Sequence, residues 1–141
     1  LFINAAHGEF DSKRREFDLA IEMTRGKFPG LHSEAFMDEY LTPVCSPEYL
    51  RRHDCLKRIQ DLARCTLLHD GHPWTGAVQD AEWRHWLDHV GAKNVDSNHG
   101  QFFSLSSMSL EAALNHQGVA LGLRSRTWLP AAASCLFLVG R

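Results

Sequence analysis

Short apolar runs alternate with polar, amphipathic stretches from the first residue to about residue 122, which is the pattern of an α/β chain. Residues 1–5 and Phe17-Asp18-Leu19-Ala20-Ile21 read as short buried strands, joined by the polar, helix-compatible stretch Asp11 to Glu16. Phe28-Pro29-Gly30-Leu31 is turn chemistry, because proline fixes φ and glycine permits positive φ. Two extended segments follow between Leu31 and Val44, with a bend near Asp38-Glu39. Ser46-Pro47 then announces a helix: the serine can cap, and proline at the first helical position loses nothing by lacking an N–H. That helix is expected to run through Arg52, and a helical turn over Ile59 to Ala63 leads into the strand Thr66-Leu67-Leu68-His69.

The next helix carries the strongest amphipathic signature. Trp83, Trp86, Leu87 and Val90 recur at helical spacing, Asp80 stands ready to cap, and Glu82 complements the positive end of the dipole. Gly91 supplies a left-handed stop. Gln101-Phe102-Phe103 reads as a strand, handing over through Ser104, Ser106, Ser107 and Ser109 to a helix with Leu110, Ala113 and Leu114. That helix is expected to end at Gly118, before the strand Val119-Ala120-Leu121, with Gly122 at the strand's end. The tryptophan stripe reads as core.

Composition narrows the function classes. The chain has 141 residues, 44% hydrophobic and 23% charged, the ordinary make-up of one globular domain. A net charge of −2 lacks the basic excess with which proteins displace counterions from nucleic acid. No charged n-region precedes an apolar stretch and cleavage site. The longest low-polarity stretch, Trp128 to Val139, is interrupted by Pro130 and Ser134 and falls short of the ~20 residues of a spanning helix. Cys45, Cys55, Cys65 and Cys135 include no C-x-x-C pair and read as free thiols of a reducing compartment. These features lead us to expect a cytoplasmic protein without a membrane partner.

Candidate chemistry is sparse. Of the nine histidines, His85 and His89 stand four apart on one helix face, yet Trp86 follows His85 where a zincin needs its glutamate. They fall on the polar side of the helix and read as exposed, and no metal or cofactor is expected. There is no G-x-S-x-G, no Walker A and no G-x-G-x-x-G, so no catalytic residue is assigned. The serine cluster has two readings. One serine can simply cap the helix, or the hydroxyls can join the free backbone amides there to hold a carboxylate or similar small anion. His69-Asp70 occupies a second strand end, where open α/β sheets bind ligands.

The motifs Phe17-Asp18-Leu19-Ala20-Ile21, Phe28-Pro29-Gly30-Leu31, Pro43-Val44-Cys45-Ser46-Pro47, Thr66-Leu67-Leu68-His69-Asp70 and Gln117-Gly118-Val119-Ala120-Leu121-Gly122 occur in that order. Together they resemble the effector-binding domain of LysR-type transcriptional regulators, in the branch of the glycine-cleavage activator and the β-lactamase regulators. The resemblance implies an α/β fold of the type 2 periplasmic-binding-protein kind, with two lobes, two crossing strands and an effector cleft between them. Residues 1–44 would be a partial first lobe, 45–120 a nearly complete second lobe, and 121–141 a crossover and atypical tail. Pro43-Val44-Cys45 would be the first crossover.

The resemblance further implies that the rest of the first lobe and a DNA-binding helix-turn-helix lie upstream of Leu1. The intact protein would form dimers or tetramers and meet DNA only through that helix-turn-helix. Carried over by position, the effector contacts would be Ala6 and His7 at the end of the first strand, Thr24 after Ile21, the His69-Asp70 loop, and Ser106-Ser107. The effector would be an amino acid or small carboxylate. The sequence departs from the family with Ala5-Ala6 where Thr-Ser is common and Leu105 where an acid is usual. From Leu123 onward the family pattern is lost, as a shifted reading frame would produce. The rival readings are a transporter's solute-binding protein, which shares the fold, and a metal enzyme using His69, His72, His85 and His89.

Overall fold

The computed structural model describes residue 32 and residues 39–53, 56–74, 76–125 and 137–138. All but His32 belong to the compact unit Met37–Arg141. The strands expected over residues 1–5 and 17–21, the turn at 28–31, the Asp38 bend, Cys55 and Cys135 lie outside the described residues.

Strand β1 (Glu39–Cys45) runs straight into helix α1 (Pro47–Arg52). As expected, Ser46 caps that helix, its hydroxyl accepting from the Tyr49 amide at 3.1 Å with Pro47 in the first turn. A 3-10 segment, Ile59–Arg64, leads to strand β2 (Leu67–Asp70) and then to helix α2 (Ala81–Val90). Strand β3 (Gly100–Phe103), helix α3 (Ser106–Leu114), strand β4 (Val119–Ser125) and the two-residue strand β5 (Phe137–Leu138) complete the order.

The strands form one mixed sheet in the order β3-β2-β4-β1-β5. β2 lies parallel to both β3 and β4, β1 pairs antiparallel with β4, and β5 runs parallel beside β1. Alternation along the strands sorts the core into two layers. Cys45, Leu67, Val119 and Leu121 face Tyr49, Leu62, Trp83, Trp86 and Leu87. Val44, Leu68 and Ala120 face Ala112 and Ala113 of α3 on the other side.

Helix α2 realises the tryptophan stripe as core. Trp83, Trp86 and Leu87 are buried, His85 and His89 are exposed, and the Trp83 indole N–H donates to the Leu68 carbonyl at 3.1 Å. Gly91 ends the helix at φ 72°, with the Ala92 amide reaching back to the Leu87 carbonyl. Asp80 corrects the expectation. It stands at the N-cap but makes no cap bond, because its carboxylate is taken by the Arg84 guanidinium and by the Ser97 hydroxyl at 2.8 Å. Burial alone would raise that carboxyl, yet Ser97 and Arg84 together hold it below the ordinary range.

Two further expectations are corrected. Helix α3 stops at Leu114, short of Gly118, because His116 adopts the left-handed conformation at φ 64° and turns the chain. Gly118 serves close approach instead: a Cβ there would lie 2.4 Å from the Thr66 carbonyl oxygen, where β4 docks on β2. Gly122 does not end its strand, because β4 continues to Ser125 with Gly122 opposite Thr42 of β1. Cys45 and Cys65 are buried and stand in no disulfide among the described residues, and burial pushes Cys45 up to about 11.

Candidate functional site

Because β2 and β3 are parallel, their carboxyl ends finish side by side, His69 opposite Phe102 and Asp70 opposite Phe103. The Gly71 amide donates to the Phe103 carbonyl at 2.7 Å and holds the two exits together. Two residues, Ser104 and Leu105, then carry the chain from β3 into α3, so the positive end of that helix begins just beyond the strand end.

The start of α3 is uncapped. Leu105, not a serine, holds the N-cap position and offers no side-chain bond. The Ser106 and Ser107 amides come before the first intrahelical bond, from the Met108 amide to the Leu105 carbonyl. Ser109 spends its hydroxyl on the Ser106 carbonyl at 2.8 Å, and Ser104 points its own at the Met108 sulfur. Among the described residues, the half-buried Ser106 and exposed Ser107 hydroxyls make no hydrogen bond. The capping reading of the cluster therefore gives way. The first turn offers two amides and two hydroxyls, the donor set for a small anion.

Asp70, 7% exposed, accepts the His72 amide at 2.9 Å through Oδ1. Glu82, half-buried in the first turn of α2, is pushed up to about 7 by burial, with the Asp70 carboxylate adding to the shift. Two acidic groups thus stand near the end of β2. The sequence shows Glu82 only as a helix-dipole partner; no local signal pairs it with a residue twelve positions away.

His69 and Asp70 are the last residues of β2, not a loop. The His69 ring, 2% exposed, turns inward, stacked on Phe102 at 4.2 Å and edge-on to Trp83 at 6.4 Å. Its Nε2 lies 3.2 Å from the His99 carbonyl, which can only accept, so Nε2 carries the proton. Among the described residues, the buried Nδ1 has no hydrogen-bond partner. Burial holds this imidazole below the ordinary range, against the opposing pull of the His99 carbonyl and the Asp80 charge.

Ala6, His7 and Thr24 lie outside the described residues. A half-open hollow of about 230 Å³ sits at the other end of β2, lined by Leu62, Leu67, Val95 and His99 among others, away from Ser106 and Ser107. Among the described residues, no three His, Cys, Asp or Glu side chains gather as a metal site. None of the described helices is long and apolar enough to cross a membrane.

Comparison with known proteins identifies the class. Residues 11–130 match the LysR substrate binding domain, and the chain belongs to that family. It is 39% identical to the HTH-type transcriptional regulator DsdC of Escherichia coli K12 over 110 residues, covering 78% of this chain and 35% of the relative. It is likewise 39% identical over 119 residues to the glycine cleavage system transcriptional activator of that strain, covering 84% of this chain and 37% of the relative. The HTH-type transcriptional activator AmpR of Citrobacter koseri is 29% identical over 104 residues, 74% of this chain and 33% of the relative. The chain thus spans about a third of the length of these curated relatives, all of them transcriptional regulators by name. No solved structure matches.

Proposed function

We propose that this chain senses a small-molecule effector for a LysR-type transcriptional regulator, with no catalytic role. The observation that carries the reading is the uncapped start of α3 beside the paired ends of β2 and β3, a built position for a carboxylate in a domain of this family. Ser106 and Ser107 take the carboxylate. Asp70 supplies negative charge for an ammonium group, joined by Glu82 once it ionises above about pH 7, which favours an amino acid over a simple carboxylate. His69 braces the end of β2 from within, under Phe102, and Ala6, His7 and Thr24 are proposed as the further effector contacts.

In this reading residues 45–120 are the second lobe of a type 2 periplasmic-binding-protein fold, residues 1–44 part of the first, and residues 121–141 the return crossover and tail. The antiparallel pair β1–β4 supplies the two crossing strands. An effector that prefers one lobe arrangement shifts the population toward it, and a dimer or tetramer of the intact cytoplasmic regulator transmits that shift to DNA.

The test is a thermal-shift screen of amino acids and small carboxylates, followed by calorimetry on the best ligand. Ser106→Pro removes one amide and one hydroxyl where proline is tolerated in a first helical turn, and Ser107→Ala removes the other hydroxyl. Together they are expected to weaken binding at least tenfold while leaving the melting temperature within a few degrees. Unchanged affinity in the double variant would place the effector elsewhere.

A further inference from the structure

Helix α2 carries two imidazoles on its outward face. His85 and His89 stand four residues apart in Ala81–Val90, whose inner face is fixed by the buried Trp83, Trp86 and Leu87. Residues at that spacing lie one above the other with Cβ atoms about 5–6 Å apart, a span that two imidazoles bridge through a single ion. Both residues are exposed, and among the described residues neither ring makes a hydrogen bond, an ion pair or a ring contact. The two rings are at liberty to turn toward one another.

The other described histidines do not offer this. His53 is stacked on Tyr49, His69 is buried, and the His116 ring is held by Ser46. His32, His72 and His99 lie outside the helices and strands, so no helical spacing pairs them. The charges around the α2 pair also suit a cation. Arg84, the neighbouring guanidinium, is drawn one turn toward the start of the helix by both carboxylate oxygens of Asp80. Asp88, exposed and three residues on from His85, adds negative charge to the same face. His89 belongs to the last turn, where the helix dipole favours positive charge.

We propose that His85 and His89 form a two-imidazole site for a divalent transition ion of the Zn2+, Ni2+ and Cu2+ class. Each ring gives one nitrogen and water fills the remaining positions, since no set of three His, Cys, Asp or Glu gathers among the described residues. Imidazole nitrogen selects these ions over Mg2+ and Ca2+, which prefer oxygen. Trp86 follows His85 where a hydrolytic zinc site needs its glutamate, so the pair binds rather than catalyses. The bound ion ties one turn of α2 to the next and so stabilises the helix whose other side packs on β2. None of this depends on the effector reading of Ser106 and Ser107.

The experiment is a Zn2+ titration of the whole chain, free of any histidine tag, followed by NMR of labelled histidine side chains. A pH of ~7.5 keeps imidazole in its neutral, ligating form. The His85 and His89 ring signals should move together, with one midpoint, ahead of every other histidine. Chelator should reverse the change, and Mg2+ at the same concentration should move neither ring. His85→Asn should weaken the Zn2+ response of His89 at least tenfold, because a lone imidazole loses its chelate partner. Separate midpoints for the two rings, another histidine responding first, or a His89 midpoint unchanged in His85→Asn overturns the proposal. If that variant fails to fold, the shared or separate midpoints in the unaltered chain still decide.

Discussion

The Ser46 hydroxyl lies 2.7 Å from Nδ1 of His116, 70 residues further along the chain. The same oxygen accepts the Tyr49 amide, so Ser46 caps α1 and also ties the end of β1 to the turn before β4. His116 holds this position at φ 64°, a conformation that costs a non-glycine residue about 1–2 kcal/mol.

That bond and that strain oppose each other. His116→Ala loses the bond and keeps the unfavourable backbone, so it should destabilise by about 1–2 kcal/mol. His116→Gly loses the same bond but relieves the backbone, and should be more stable than the alanine variant by about 1 kcal/mol. Urea unfolding of the two variants side by side checks the order; alanine at or above glycine would mean that the turn is unstrained.

Glu82 should make the domain less stable as pH rises. Its folded value, about 7, lies above the ordinary carboxylate range, so the folded chain holds a proton that the unfolded chain releases. Stability therefore falls as pH climbs from about 4.5 to 7, and the cost is fully present above that. Glu82→Gln should gain up to about 3 kcal/mol at pH ~8 and almost nothing near pH ~4, measured by urea midpoints at both values.

Asp80 works in the opposite sense. Its folded carboxyl is held low, so its stabilisation is present above the unfolded value near 4 and disappears as pH falls through the folded value. Arg84 is largely exposed, which limits the Coulombic share. Asp80→Asn should cost about 1–2 kcal/mol at neutral pH, and strong acid should bring variant and parent together. A gap that persists in acid would assign the loss to packing.

Glycines divide by what lies behind them. At Gly100, φ is 134° and a Cβ would sit 1.9 Å from the Leu67 carbonyl oxygen, so Gly100→Ala must break the start of the β2–β3 pair. At Gly91, φ is 72° with nothing within 4 Å, so Gly91→Ala meets only the backbone penalty of about 1–2 kcal/mol. Circular dichroism melts should show the first variant largely unfolded at 37 °C and the second folded.

Where side-chain periodicity and local chemistry decide, the sequence was readable. The Ser46-Pro47 start, the α2 stripe, its Gly91 stop and strands β2 and β3 all follow from neighbours a few positions away. What escaped was decided across the sheet. Gly122 looks like a strand end until β1 lies opposite, and Asp80 looks like a cap until Ser97 and Arg84 claim it. The end of α3 was misplaced because a histidine performs the left-handed turn that glycine usually announces. The placement of Asp70, Ser106 and Ser107 at strand and helix ends was legible. The inward turn of His69 was not, because α2 and Phe102, distant in sequence, determine which side of β2 is interior.

The antiparallel seam between β1 and β4 also has a consequence for biosynthesis. A ribosome that has just finished Cys45 must add chain comparable to the 70 residues between Ser46 and His116 before the partner strand emerges. At common synthesis rates that is roughly 4–14 s. Throughout that interval neither of the described strands that flank β1 stands beside Leu41 and Val44, so this stretch of nascent chain is open to chaperone capture or to pairing with a neighbouring polysome's copy. When β4 arrives, β1 acquires its antiparallel neighbour.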